Sequence, residues 1–345
     1  MTKTEELDRH LEHLPRVTLA NVPTPIETLT RLSEAVGGSV QLLAKRDDMT
    51  GFATGGNKAR QLEYSMGAAV DAGANMILVT GAVQSNYMRT AAAAAAKLGM
   101  GCHLQFENRV PDMGEAYHES GNVLLDRMFG ATTSTFPLGE DEAAADGNLA
   151  QIAGTYRSQG KATYQLKLSA DTKPLGSLGY MRCAAEILDQ IEGGEPNIDA
   201  IVLASGSAAT HVGMLLGLRL LGSDIPVHGI CVRRDAAQQA QRVRDIVRLA
   251  EELVGCGPIV DDADVFCHDD WFGPGYGRPI ESTHEAIQLA GRMEGIIVDP
   301  VYTAKSLAGA IGLTRAGRFK DGARVLWVHT GGLPSVFAYG DKMLG

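Results

Sequence analysis

The chain has 345 residues, too many for one small core and suited to two domains of ordinary size. Hydrophobic residues make up 45% and charged residues 21%, a folded composition, and the formal net charge of −10 argues against nucleic acid or anionic membrane as partners, because both need a basic surface. The five cysteines (Cys102, Cys183, Cys231, Cys256 and Cys267) contain no C-x-x-C pair, which argues against a disulfide framework or zinc knuckle and fits a cytoplasmic location. The first six residues are polar and acidic and do not read as a signal peptide.

Taken in order, residues 1–38 read as an arm broken by Pro15, Pro23 and Pro25, followed by helical spacing over 26–36. Strands are predicted over 40–44, 76–80, 102–106, 131–135, 163–168, 200–204, 227–232 and 325–328. Helices are predicted from Lys58 to about Ala72, then over 85–98, 120–129, 149–158, 178–191 and 211–221. Residues 168–178 are a plausible domain crossing, and 261–280 read as a long loop region. Such β-α alternation implies parallel sheet with helices on both faces. Ligand sites in these folds lie at the carboxyl ends of strands.

Four loops meet that rule. In Thr54-Gly55-Gly56-Asn57-Lys58, two glycines free the backbone ahead of a lysine at the head of a helix. A helix N-terminus lowers a lysine pKa and makes its amine a better nucleophile. In the loop 80–87, Ser85, Asn86 and the first helical N–H groups can hold an oxyanion such as a carboxylate, or Ser85 is an ordinary N-cap. The loop 204–213, with Ser205-Gly206-Ser207-Ala208-Ala209-Thr210, opens a helix with small residues that let N–H groups approach a phosphate. It has neither a Gly-Lys-Ser/Thr ending nor a G-x-G-x-x-G pattern, so a non-nucleotide phosphate suits it better. The fourth, His329-Thr330-Gly331-Gly332, offers a hydroxyl that can hydrogen-bond a neutral ring nitrogen. Tyr276 and Tyr302 are either core residues or phenols that relay a proton if their pKa is lowered. The run 267–270 (Cys-His-Asp-Asp) lacks converging ligands and reads as a solvated loop, with no metal expected.

Together these motifs, with Lys45-Arg46-Asp47-Asp48, Pro274-Gly275-Tyr276-Gly277 and Asp299-Pro300-Val301-Tyr302-Thr303, resemble the pyridoxal-phosphate (PLP)-dependent D-cysteine desulfhydrase and 1-aminocyclopropane-1-carboxylate (ACC) deaminase family over nearly the whole chain. The resemblance implies a tryptophan-synthase-β-like (fold type II) α/β enzyme of two three-layer domains with PLP between them, usually a homodimer. The larger domain would comprise 1–56 and 166–345, and the smaller inserted one 57–165. It implies Lys58 as the Schiff-base lysine and Asn86 as partner of the PLP phenolic oxygen. Ser207, Ala208, Ala209 and Thr210 would cradle the phosphate, and Thr330 would meet the ring nitrogen. Gln84, Ser85, Asn86 and Tyr87 would face the substrate, with Tyr276 and Tyr302 lining the site.

The activity implied is α,β-elimination from a small β-substituted amino acid to pyruvate and ammonia. Three departures bear on the leaving group. Thr303 stands where deaminase-type members carry glutamate, which argues for β-elimination over cyclopropane opening. Tyr87 replaces the usual histidine of Gln-Ser-Asn-His, and residues 168–173 replace a Gly-Gly-Ser loop. Lys167, Lys173 or Arg278 would suit an anionic β-substituent. L-cysteate, releasing sulfite, therefore ranks ahead of D-cysteine and of ACC. A PLP-fold binding protein without turnover is the non-catalytic alternative.

Overall fold

Strands and helices alternate along nearly the whole of the computed structural model, which describes residues 1–139, 141–167 and 172–343. The chain opens with α1 (Lys3–Leu11), β1 (Ile26–Thr28), α2 (Thr30–Ala35), β2 (Gln41–Lys45) and α3 (Asn57–Asp71). Next come β3 (Met76–Ala82), α4 (Asn86–Lys97), β4 (Gly101–Glu107), α5 (Glu115–Glu119), α6 (Asn122–Met128), β5 (Thr132–Phe136), α7 (Glu142–Ser158) and β6 (Thr163–Leu166). Then follow α8 (Leu175–Glu192), β7 (Ala200–Ser205), α9 (Ala209–Leu220), β8 (Val227–Cys231), α10 (Ala236–Val254) and β9 (Phe266–His268). The chain closes with α11 (Glu281–Leu289), α12 (Thr303–Arg315), β10 (Arg324–Val328) and α13 (Leu333–Tyr339).

Two sheets result. One runs β1-β2-β10-β7-β8-β9, the other β5-β4-β3-β6. Every pairing is parallel except β1 with β2. The chain is thus an α/β protein whose four-stranded sheet comes from the middle of the sequence. β3 is buried at all seven positions, as a central parallel strand covered on both faces must be. The alanine run of α4 buries Ala91, Ala92, Ala94 and Ala95 completely, so that helix packs closely on its sheet.

The helix expected over 26–36 is shorter than its spacing suggests. Residues 26–28 pair instead with Lys45, Ala44 and Leu43 as an edge strand, and the helix begins at Thr30. Ile26 and Thr28 are β-branched and follow Pro25, and the ladder bonds outweigh the helical spacing. The long helix α10 was not foreseen, because its polar opening (Ala-Ala-Gln-Gln-Ala-Gln-Arg) hides a buried stripe of Val243, Ile246, Val247, Ala250 and Val254. The region 261–280 is mostly loop, but it contributes the edge strand β9.

A buried ionic cluster fixes the start of α3. The Arg60 guanidinium donates to both oxygens of Asp47 at 2.9 Å and to both of Glu186 at 2.9 and 3.0 Å. Tyr180 donates to Asp47 at 2.5 Å and Lys45 to Glu186 at 2.5 Å. The guanidinium beside Asp47 holds that carboxyl below its ordinary value against the opposing cost of burial. The cluster ties β2, α3 and α8 together two residues beyond Lys58.

Candidate active site

The carboxyl ends of the two sheets face one cleft, and all four loops expected from the sequence reach it. Lys58 lies in the first turn of α3. Its Nζ donates to Gln61 Oε1 at 3.2 Å and stands 6.0 Å from the Tyr87 ring centre. Burial lowers its pKa from 10.5 to about 8, toward the range of a usable nucleophile. Gly56 and Gly331 position this turn: a Cβ on Gly331 would come within 2.6 Å of Gly56 Cα. Asn57 N–H donates to the Thr330 carbonyl at 3.1 Å. The glycines therefore let two loops abut backbone to backbone.

The second loop turns from β7 into α9 through Ala208, which has φ +77°. The first-turn N–H groups of α9 have no intrahelical acceptor. Thr210 Oγ already accepts from Asn57 Nδ2 at 2.9 Å and from Gln61 Nε2 at 2.8 Å. Its own proton is left to donate into the cleft, which Thr210 lines with Ser207 and Ala208. Ala209 faces an adjoining cavity instead.

At the third loop Ser85 is the N-cap of α4, with Oγ accepting from Met88 N–H at 3.3 Å, and it also lines the cleft. The N-cap reading holds, and the hydroxyl keeps a proton to donate. Asn86 faces the cleft as well. Gln84 does not. Its amide is spent on the carbonyls of Tyr117 (2.6 Å) and Ser120 (3.0 Å) and on Asn122 N–H (2.9 Å), so it braces the α5–α6 turn. Tyr87 is buried beside Lys58, and burial pushes its phenol up to about 12.

The fourth loop brings Thr330 to the cleft wall. Asp299, also on the wall, receives the N–H groups of Val301, Tyr302 and Thr303 and the Thr303 hydroxyl at 2.7–3.0 Å. Thr303 is thereby fixed and fully buried. Tyr276 and Tyr302 meet at 2.5 Å between hydroxyls. Burial raises both phenols, against the expectation that a functional tyrosine here has a lowered pKa.

Arginines went unnoticed in the sequence. Arg109, Arg233 and Arg242 line the cleft. Arg109 donates to Glu107 at 2.7 and 2.9 Å and lies 5.8 Å from the Tyr276 ring centre. Glu142, at the head of α7, pairs with Arg233, with Arg234 at 2.9 Å and with Arg242 at 3.6 Å, linking the two sheets' halves across the cleft. Arg109 and Arg233 each follow a parallel strand by two residues, and strand-end position was the available signal. The cations expected to serve a substrate lie elsewhere. Lys167 and Lys173 line the adjoining cavity, and Arg278 is paired with Asp112 at 2.8 Å near the surface. The divergent loop 168–171 lies outside the described residues.

The donor pattern fits PLP. A nucleophilic amine, a helix N-terminus with a spare threonine proton, an amide and a second threonine hydroxyl converge on one cleft. Lys58, Ser207, Ala208, Thr210, Asn86 and Thr330 would hold it.

Comparison with known proteins agrees. The model of the pyridoxal-phosphate-dependent enzyme family matches residues 17–331. The D-cysteine desulfhydrases of Salmonella typhi and Salmonella newport are each 38% identical over 330 residues, covering 96% of this chain and 98% of the relative. A crystal structure of an ACC deaminase homologue superposes with a TM-score of 0.86 at 34% identity, covering 98% of both chains. O-ureido-L-serine synthase, at 17% identity and a TM-score of 0.65 over 96% of this chain and 94% of that one, shares the fold. The chain belongs to the fold type II PLP-dependent enzymes, in the branch of D-cysteine desulfhydrases and ACC deaminases, and is a PLP-dependent lyase of that branch.

Proposed function

We propose that the chain is a carbon–sulfur lyase acting on L-cysteate, which with one water gives pyruvate, ammonia and sulfite. The observation that carries this reading is the set of arginines on the cleft wall, Arg109, Arg233 and Arg242, beside the two phenols. Guanidinium groups suit the planar edges of a carboxylate or the three oxygens of a sulfonate, and a neutral thiol does not need them. Bound PLP supplies an electron sink that acidifies the hydrogen next to the substrate amine.

The chain's residues do the rest. Lys58, with its lowered pKa, takes up that proton once its amine is free. The Ser85 hydroxyl and the first N–H groups of α4 hold the substrate carboxylate. The arginines neutralise the departing sulfite, and the Tyr276–Tyr302 pair, kept protonated by burial, has one phenol proton left over from its mutual hydrogen bond to donate to it.

D-cysteine, with sulfide as product, is the second reading, favoured by the 38% identity to D-cysteine desulfhydrases. Pyruvate release from L-cysteate, D-cysteine, L-cysteine and D-serine, assayed side by side with oxoacid release from ACC, tests both. The first reading predicts the highest kcat/KM with L-cysteate, and sulfite in step with pyruvate. Turnover of D-cysteine but not L-cysteate overturns it in favour of the second.

A further inference from the structure

Asn86 meets the cleft with one end of its amide, and the other end is held from behind. Its Oδ1 accepts from Asn122 Nδ2 at 3.1 Å and from the Arg89 guanidinium at 3.3 Å. Asn122 is itself fixed: its Oδ1 accepts from Arg89 at 3.1 Å and its Nδ2 donates to the Gln84 carbonyl at 3.1 Å. An arginine can only donate and a carbonyl can only accept, so the orientation of each amide is forced. The remaining end of Asn86, the Nδ2–H group, is therefore a donor, on a residue that lines the cleft.

Arg89 does more than orient an amide. Its other arm donates to the Gly55 carbonyl at 3.1 Å, three residues before Lys58. One buried side chain thus joins the lysine loop to the Asn86 loop. Its charge is poorly matched. Arg89 Nε and both Asp126 oxygens are buried without a hydrogen-bond partner among the described residues. Burial pushes the Asp126 carboxyl up to about 8 and the Arg89 guanidinium down to about 10. The remaining titratable neighbour is Cys102, whose thiol burial raises to about 12. Burial thus holds Asp126 toward its neutral form. The buried guanidinium lacks a full counter-charge, and an anionic acceptor on the cleft side of Asn86 supplies one.

We propose that Arg89 is a positioning residue for the cofactor: through Asn122 and directly, it aims the Asn86 N–H at the phenolic oxygen of PLP and favours the anionic form of that oxygen. It touches neither substrate nor cofactor. Removing the aimed donor or the charge behind it makes that oxygen hold its proton to higher pH.

The test uses the holoenzyme, reading the pH midpoint of its visible absorption and its rate of PLP loss into a scavenger, with circular dichroism as the check on folding. Arg89→Gln removes the charge and the fork. The expected result is a midpoint at least half a pH unit above wild type and PLP loss about tenfold faster or more. Arg89→Lys keeps the charge and one donor but loses the Gly55 tie. It should keep the midpoint closer to wild type while still losing PLP faster. Should Arg89→Gln not fold, Asn122→Ser leaves Arg89 in place and should shift both readouts in the same direction by less. Wild-type midpoint and wild-type retention in a folded Arg89→Gln or Asn122→Ser protein overturn the proposal. The outcome is independent of which substrate is turned over.

Discussion

The hydroxyl oxygens of Tyr276 and Tyr302 stand 2.5 Å apart, with their rings crossed at 70° and Arg109 close to the first of them. Because burial raises both pKa values, both phenols are kept protonated at neutral pH. Tyr276→Phe and Tyr302→Phe should each lower kcat by about 10²-fold, the usual size of a lost acid or hydrogen-bond donor. Neither should remove the alkaline limb of the pH–rate profile, since neither phenol ionises below its ordinary pKa. A limb lost with one tyrosine shows that the phenol ionises in turnover.

The Arg109 guanidinium lies 5.8 Å from the Tyr276 ring centre. Arg109→Met should lower kcat/KM for L-cysteate by about 10- to 10²-fold, the scale of a charge-assisted hydrogen bond. D-cysteine, with no charged β-substituent, should lose about threefold or less. Steady-state kinetics on both substrates separates the two. Equal losses on both assign Arg109 a role in holding the cleft together.

Lys58 should capture PLP at unusually low pH. A lysine with pKa about 8 is neutral for about a tenth of molecules at pH 7, against well under a thousandth at the ordinary value of 10.5. The neutral form is the nucleophile, so the capture rate of the apoenzyme rises with pH. Stopped-flow absorbance should place the midpoint of that rise near 8. A rise continuing toward pH 10 contradicts the lowered value.

Asp47→Asn breaks the buried cluster that fixes α3. Removing one partner leaves Arg60 underpaired, so urea unfolding at pH 7 should show a loss of about 3–5 kcal/mol. Asp47 has its carboxyl pKa lowered by folding. Its contribution is present above the unfolded value near 3.9 and is lost as pH falls through the folded one. The gap between wild type and variant should therefore narrow as the pH drops below 4. A gap that is constant with pH removes Asp47 from the acid response.

Much of the site is legible in the sequence, because glycine and hydroxyl loops at the ends of apolar strands mark ligand positions in an α/β fold. Lys58, Ser207, Thr210 and Thr330 reach the same cleft for that reason. Gln84 was misplaced because a loop glutamine looks alike whether it faces a ligand or braces a turn, and only the Tyr117 and Ser120 carbonyls distinguish the two. Arg109 and Arg233 were hidden because a cation in a strand-end loop reads as surface charge until the fold places that loop, and Arg242 because it sits in the polar opening of α10. Arg89 lies inside an alanine-rich helix, and nothing in that sequence announces that its guanidinium reaches Gly55 and Asn122. The ordinary lengths of the strands were readable. The polar first turns of α10 were not, since their buried stripe begins only at Gln239 and Val243.

A second lysine shares the burial of Lys58. Lys305 is also buried and also lowered to about 8, but its Nζ donates to the carbonyls of Phe272 at 2.6 Å and Gly275 at 3.1 Å, so it is engaged in bracing a loop. Borohydride reduction of the holoenzyme, followed by peptide mass mapping, fixes PLP to whichever lysine carries it. Phosphopyridoxyl is expected on Lys58 alone, and none on that peptide's counterpart in Lys58→Ala. The label on Lys305, or a wild-type protein that retains none, would contradict it.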